Sequence, residues 1–422
     1  MKLITSFIFL LSYLFLIFSK QSKAFVAWLA VVFLLVLQIL SPGEAFWAVN
    51  WNVIGLFVGT LLVAELFIYS QVPAYLANLL VAKSKNAGLA ILAICVLASL
   101  ISIFVENVAT VLIVAPIALA LAERLKISPI PALIGIAISS NLQGTATLIG
   151  DPPSMILAGF ANLNFMDFFV YLGKPSIFFA VELGAIPSFV VLYLIFKKFK
   201  EKVVEEPKTA VISWVPTLLL ILMIVGLASI AFWPIVIPNA AAIVALLYGL
   251  IGLLWFAFHH KQFEPSVAVV KNFDYETLLF LMAIFILVSS LTKVGLLNDL
   301  AGYLQSLSFG NPFIAYTLIV WLSVFFSAFI DNVPYVLAML PVTSILAASL
   351  GISPSLLNFG LLIGACLGGN ITPIGASANI VACGMLKKRG YHVGFWDFVK
   401  IGLPFTIASV LVSYVFLWIV WR

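Results

Sequence analysis

Charge is scarce in this sequence: Asp, Glu, Lys and Arg together make up 9% of its 422 residues, against 64% hydrophobic. That balance excludes an ordinary water-facing surface. Cysteine is scarcer still, and Cys95, Cys366 and Cys383 stand singly, without the paired spacing of a disulfide framework or a zinc site. They read as reduced packing residues. The three histidines, His259, His260 and His392, fall between apolar runs. Neither HExxH nor GxSxG occurs, so an intramembrane enzyme lacks its catalytic constellation, and no cofactor is implied. The alternating ten-residue segments of a β-barrel are also missing. A formal charge of +5 does not point to nucleic acid, because the basic residues sit in short groups between apolar runs and not on one face.

What remains is a series of apolar runs, each long enough to cross a hydrocarbon core of about 30 Å as a helix of about 20 residues. The expected fold is an all-α polytopic membrane protein. Spans are expected at Ile4 to Phe18, Ala24 to Leu40, Trp51 to Ile68 and Pro175 to Phe196, with a helical hairpin from Ala87 to Ala122 and an interrupted helix from Ile130 to Phe160. The first run has one lysine ahead of it and no small-residue cleavage pattern after it, so it reads as a span and not as a secretory signal. The second set is Trp214 to Phe232, Ala240 to Phe258, Thr277 to Val294 and Phe398 to Trp421, with a hairpin from Pro312 to Ala348 and an interrupted helix from Pro354 to Leu386. Each set gives five crossings.

This layout puts 17 of the 21 Lys and Arg residues on one side, Lys20, Lys23, Lys208 and Lys261 among them; Lys2, Lys174, Lys293 and Arg422 lie opposite. The positive-inside rule then makes that side cytoplasmic, with both termini outside an inner, plasma membrane. Residues 1–197 and 211–422 form two units, and 198–210 is a cytoplasmic linker. The units match at a fixed offset of 225 residues, pairing Glu106-Asn107 with Asp331-Asn332, Pro116 with Pro341, Thr147 with Thr372, Ile149-Gly150 with Ile374-Gly375 and Ser154 with Asn379. Odd numbers of crossings make the repeat inverted, a pattern of secondary transporters.

Residues 130–160 as one helix would run about 46 Å at roughly 1.5 Å per residue, too long for the core, and their middle is rich in Gly, Thr and Pro. The helix should break there, with Asp151 capping a new helix that opens on Pro152. The second copy breaks between Gly368 and Asn379, with Ser377 as a possible cap. Unwound backbone at membrane depth needs protein or a watery cavity around it, so a site is implied. The hairpin tips carry Glu106-Asn107 and Asp331-Asn332, and are expected to be re-entrant. An intramembrane carboxylate is a functional candidate by default, which singles out Glu106, Asp151 and Asp331; Glu65 and Glu182 read better as packing or interfacial residues. No Lys, Arg or His is expected in the site, which should be acidic and neutral only. That composition suits proton or sodium coupling. An anion would depend on helix N-termini and the hydroxyls of Thr145, Thr147, Thr372 and Ser377.

The segments Glu106 to Leu112, Gly144 to Pro153 and Asp331 to Pro334 resemble the ArsB/NhaD permeases of the ion transporter superfamily, relatives of the divalent anion/sodium symporters. The resemblance implies re-entrant hairpins, interrupted helices, a homodimer in the lipid bilayer and elevator-like motion. It also implies that Asn107, Asn332, Thr145, Thr147, Asn370, Thr372 and Asn379 line the site, with sodium at Asn107, Thr145, Asn332 and Asn370. Two positions depart from the pattern: Glu106 stands where relatives commonly have Asp, and Ser154 where they have Asn. The Ser-Asn-Thr tips of dicarboxylate symporters are absent. The leading expectation is therefore coupled transport of a small inorganic ion or oxyanion, arsenite-like, ahead of sodium/proton antiport and then dicarboxylate symport. A channel would conduct only downhill.

Overall fold

The computed structural model describes every residue except 19–20, 204–208, 236, 261–268 and 272. Lys20, Lys208 and Lys261, which contribute to the charge asymmetry, and the middle of the expected linker lie outside the described residues. Apart from two short paired strands, β1 (Val170–Tyr171) and β2 (Lys174–Pro175), the regular structure of the described residues is helical. Among the described residues nine helices are long and apolar enough to cross a membrane, or ten if one bent pair counts as a span.

The first part of the chain runs α1 (Lys2–Phe18), α2 (Lys23–Val36), α3 (Pro42–Ala48), α4 (Trp51–Tyr69), α5 (Val72–Ala82), α6 (Ala87–Ser102), α7 (Asn107–Leu125), α8 (Ile130–Gly144), α9 (Pro152–Ala161) and α10 (Ile177–Phe196). Then follow α11 (Val215–Ser229), α12 (Ala240–His260), α13 (Tyr275–Lys293), α14 (Leu296–Leu307), α15 (Pro312–Ser327), α16 (Asn332–Ser349), α17 (Pro354–Gly368), α18 (Ser377–Lys388) and α19 (Phe395–Trp421). Both expected hairpins form, as α6–α7 and α15–α16, and both expected breaks fall where the glycines and prolines are.

Three helices were not legible in the apolar pattern. The short helix α3 is held by a capping box in which Ser41 and Glu44 satisfy each other's backbone N–H groups. The other two, α5 and α14, occupy corresponding places ahead of the two hairpins. Each starts from a left-handed residue, Gln71 with φ 59° and Gly295 with φ 77°, which turns the chain sharply out of the preceding span. Neither is long enough to cross. Between α14 and α15 the chain bends by 118°.

Burial separates the helices into two kinds. Thirteen of the fifteen residues of α8 and fourteen of the fifteen of α17 are buried, so these short helices are enclosed by protein and do not face lipid. Outer helices such as α11 and α12 instead expose large aliphatic side chains, including Leu218, Val225, Leu247 and Leu250, as a lipid-facing surface requires. Each broken helix packs on an arm of its own hairpin, α8 on α6 and α17 on α15. The second pieces cross over: α9 packs on α16, and α18 on α7 and α8. Helices α4 and α12 pack tightly at Gly59, where a Cβ atom would overlap the backbone of Ala245.

Candidate functional site

The two breaks are tied to the two hairpin tips by the same bonds, 225 residues apart. The Thr147 hydroxyl donates to the carbonyl of Ile103, and that of Thr372 to Ala328. Gly150 lies so close that a Cβ would come within 2.5 Å of the Gly144 oxygen and 2.7 Å of the Ser102 oxygen; at Gly375 the equivalent approaches are 2.6 Å to Gly369 and 2.8 Å to Ser327. Only glycine permits this doubling back. The return is stapled at one repeat position in both copies: Ser154 Oγ donates to Thr145 O at 3.3 Å, and Asn379 Nδ2 to Gly369 O and Thr372 O, both at 2.9 Å.

Both tips then converge on one side chain. Asp151 is 2% exposed, and its Oδ1 accepts from Asn107 Nδ2 at 3.0 Å, its Oδ2 from Asn332 Nδ2 at 3.3 Å. The tip amides are themselves buried, 3% and 4% exposed. The amide side of each tip therefore ends inside the protein, against the broken helices, while Phe329 of the second tip stays exposed. Asp151 stands at the N-cap position of α9 but makes no capping bond; the expected cap is corrected, because its carboxylate turns to the two amides instead. Ser377 is likewise not a cap. Ala376 holds that position, and Ser377 Oγ lies 3.5 Å from Asp331 Oδ2.

The carboxylates at the tips do cap helices. Glu106 accepts from Ala109 N at 2.9 Å and Asp331 from Val333 N at 3.1 Å, each opening the second arm of its hairpin. An acid at a helix N-terminus also faces the positive end of the helix dipole. Both still reach a cavity of about 250 Å³ lined by Glu106, Asn107, Asp151, Asp331, Asn332 and Ser377. Thr145, Thr147, Asn370, Thr372 and Asn379 do not line it. Thr145 donates to Asn141 O at 3.3 Å, so of the four residues suggested for sodium only Asn107 and Asn332 face the cavity.

One expectation is overturned. Lys23, assigned from sequence to a loop, lines the cavity, and its Nζ lies 2.6 Å from Asp331 Oδ2. The site is not free of basic residues. Asp274 and Glu276, at the start of α13, also line it, so among the described residues five lining carboxylates face one lysine. Asn141 was also missed. Its Nδ2 donates to Asn370 Oδ1 at 3.0 Å and to Cys366 O at 2.8 Å, and its Oδ1 accepts from Asn107 at 3.0 Å, so it links the two broken helices behind the cavity. Its place one helical turn before Thr145 was a usable signal; Lys23 gave none. Glu65 and Glu182 stay off the cavity, and Glu182 bonds Gln143.

Enclosed broken helices, buried tips and a charged cavity between them, set among apolar spans, are the architecture of a secondary transporter. The chain belongs to the CitMHS family, described as citrate transporter, whose pattern matches residues 13–364. The uncharacterized transporter Rv2684 of Mycobacterium tuberculosis is 31% identical over 99% of this chain and 98% of its own length. The human P protein is 26% identical over 78% of this chain and 48% of that protein. Among solved structures, the Alcanivorax borkumensis YdaH transporter aligns with a TM-score of 0.57 at 17% identity, covering 99% of this chain and 97% of that one. Neisseria gonorrhoeae MtrF, from a class of antimetabolite efflux pumps, gives 0.53 at 15%, covering 87% and 80%. The two structures share the fold. Together these likenesses support membership of the ion transporter superfamily; the family they show is CitMHS, and they do not show the expected ArsB/NhaD assignment.

Proposed function

We propose that this transporter couples its cargo to a cation, proton or sodium, carried at Asp151 between the two tips. The observation that carries the reading is the pair of amide bonds from Asn107 and Asn332 to that one carboxylate. A buried carboxylate is costly unless a proton, a cation or strong donors neutralise it, and two neutral amides leave its charge standing. Among the described residues, five carboxylates against one lysine favour cargo that enters neutral or positively charged, a small inorganic ion or an undissociated oxyacid such as arsenite. Sodium/proton antiport is the same chemistry with sodium as cargo. The family description makes citrate a second reading; a tricarboxylate meeting this cavity needs its charge offset by a bound metal cation.

The same reading has residues 1–197 and 211–422 as inverted halves, working by alternating access of elevator type within a homodimer. The recurrence of the Thr147 and Thr372 ties at one offset supports the repeat, and the charge asymmetry supports external termini and a cytoplasmic linker. Flux in sealed proteoliposomes under an imposed proton or sodium gradient tests the proposal, with arsenite, sodium, and citrate with and without magnesium as cargo. Uphill flux is expected for at least one cargo, and D151N should abolish it. Downhill conduction alone, or wild-type coupling in D151N, would overturn it.

A further inference from the structure

The repeat places Glu106 and Asp331 at equivalent tips, yet their surroundings differ. Among the described residues Glu106 has no basic partner, whereas Asp331 holds Lys23 at 2.6 Å. The lysine comes from the first residue of α2, outside both hairpins and both broken helices, and its own backbone N–H donates to Glu276 Oε1 at 2.9 Å. Its side chain is 35% exposed and the Asp331 side chain 15%, so the pair is partly shielded from solvent. The pair also stands between two cavities. Lys23, Asp331 and Phe280 line the cavity that holds Asp151, and the same three line a second cavity of about 230 Å³ bounded by Tyr13, Leu16 and Ile374.

An ammonium on a flexible four-carbon stem is a compact point charge that can leave a carboxylate and return to it. From this placement we infer that Lys23 is a tethered competitor for the transported cation: it occupies Asp331 when the site is empty, a cation held at Asp151 takes Asp331 of the same cavity as a further ligand and must displace the lysine, and the lysine keeps the two cavities apart while it stays. Affinity is then set by a residue of the peripheral helix α2. The apparent dissociation constant is the intrinsic one divided by the fraction of molecules in which Lys23 has let go. Removing the competitor raises affinity and opens the partition. This rests on the cation reading above and adds a determinant to it.

The test uses the full chain in proteoliposomes, with radiolabelled sodium and an enclosed pH dye as probes, comparing wild type, K23Q, K23R and D151N. K23Q should lower the half-saturating cation concentration by about tenfold, as expected if the pair is closed nine-tenths of the time, and should raise cation leak without an imposed gradient. K23R, which keeps the charge, should restore both values. A lysine that merely braced the fold would lower the melting temperature and flux without improving affinity. Unchanged or weaker affinity in K23Q overturns the inference, and so does failure of K23R to rescue. The two ideas fail separately: coupled flux in D151N together with a shifted K23Q removes the Asp151 assignment and leaves the competitor standing. Loss of flux in D151N with an unshifted K23Q does the reverse. A wild type that moves neither sodium nor protons removes both.

Discussion

Two amides and one carboxylate have unequal parts at the site. Asn107 and Asn332 each supply a neutral donor to a charged acceptor, and losing one such bond costs about 1.5–3 kcal/mol. N107A and N332A should therefore each raise the half-saturating concentration of the coupling cation by about tenfold or more, read from rate against cation concentration. T147V and T372V remove ties that do not line the cavity. They should lower the detergent melting temperature while leaving that concentration unchanged. Away from the spans, the Lys293 ammonium at 2.6 Å, helped by hydrogen bonds from Ser41, holds the Glu44 carboxyl down at about 2 instead of its ordinary 4.5. A depressed pKa contributes stability that is fully present above the ordinary value and is lost as pH falls from 4.5 through 2. The melting difference between wild type and E44Q should be constant above that window and vanish below it.

The elements differ in how openly the sequence announces them. Breaks in α8–α9 and α17–α18 were legible because Gly144, Gly150 and the Pro152-Pro153 pair are residues a continuous helix avoids, and the tips because a carboxylate beside an amide interrupts an apolar run. Helices α3, α5 and α14 were not: they are short, and their starts depend on a capping box or a left-handed residue and not on periodicity. Lys23 looks like a loop charge in the sequence because nothing local records that α2 begins beside a hairpin tip 308 residues away. The polar link through Asn141 was hidden for a similar reason, since its partner Asn370 lies 229 residues on. Helix contacts supply their own test. At Gly59 any side chain meets the Ala245 backbone, so G59V should force α4 and α12 apart, at a cost of about 1–3 kcal/mol or more, seen as a lower melting temperature.

At the scale of the whole molecule, the packing of α9 on α16 and of α18 on α7 and α8 means neither half completes the cavity alone. Chain orientation is the property that charge counting addresses and helix geometry does not. A fluorescent protein fused after Arg422 should stay dark, and alkaline phosphatase at the same point should be active, if that end is extracytoplasmic; the opposite result would invert the assignment. The sharing of Asp151 by two tips also bears on idling. Any movement that parts the tips strips the carboxylate of one donor and leaves its negative charge less well solvated than before. On the proposed coupling, an unloaded carrier that lets the tips part is penalised by this bare charge, while a loaded one travels with its charge neutralised, so the tie works against futile turns that would dissipate an ion gradient.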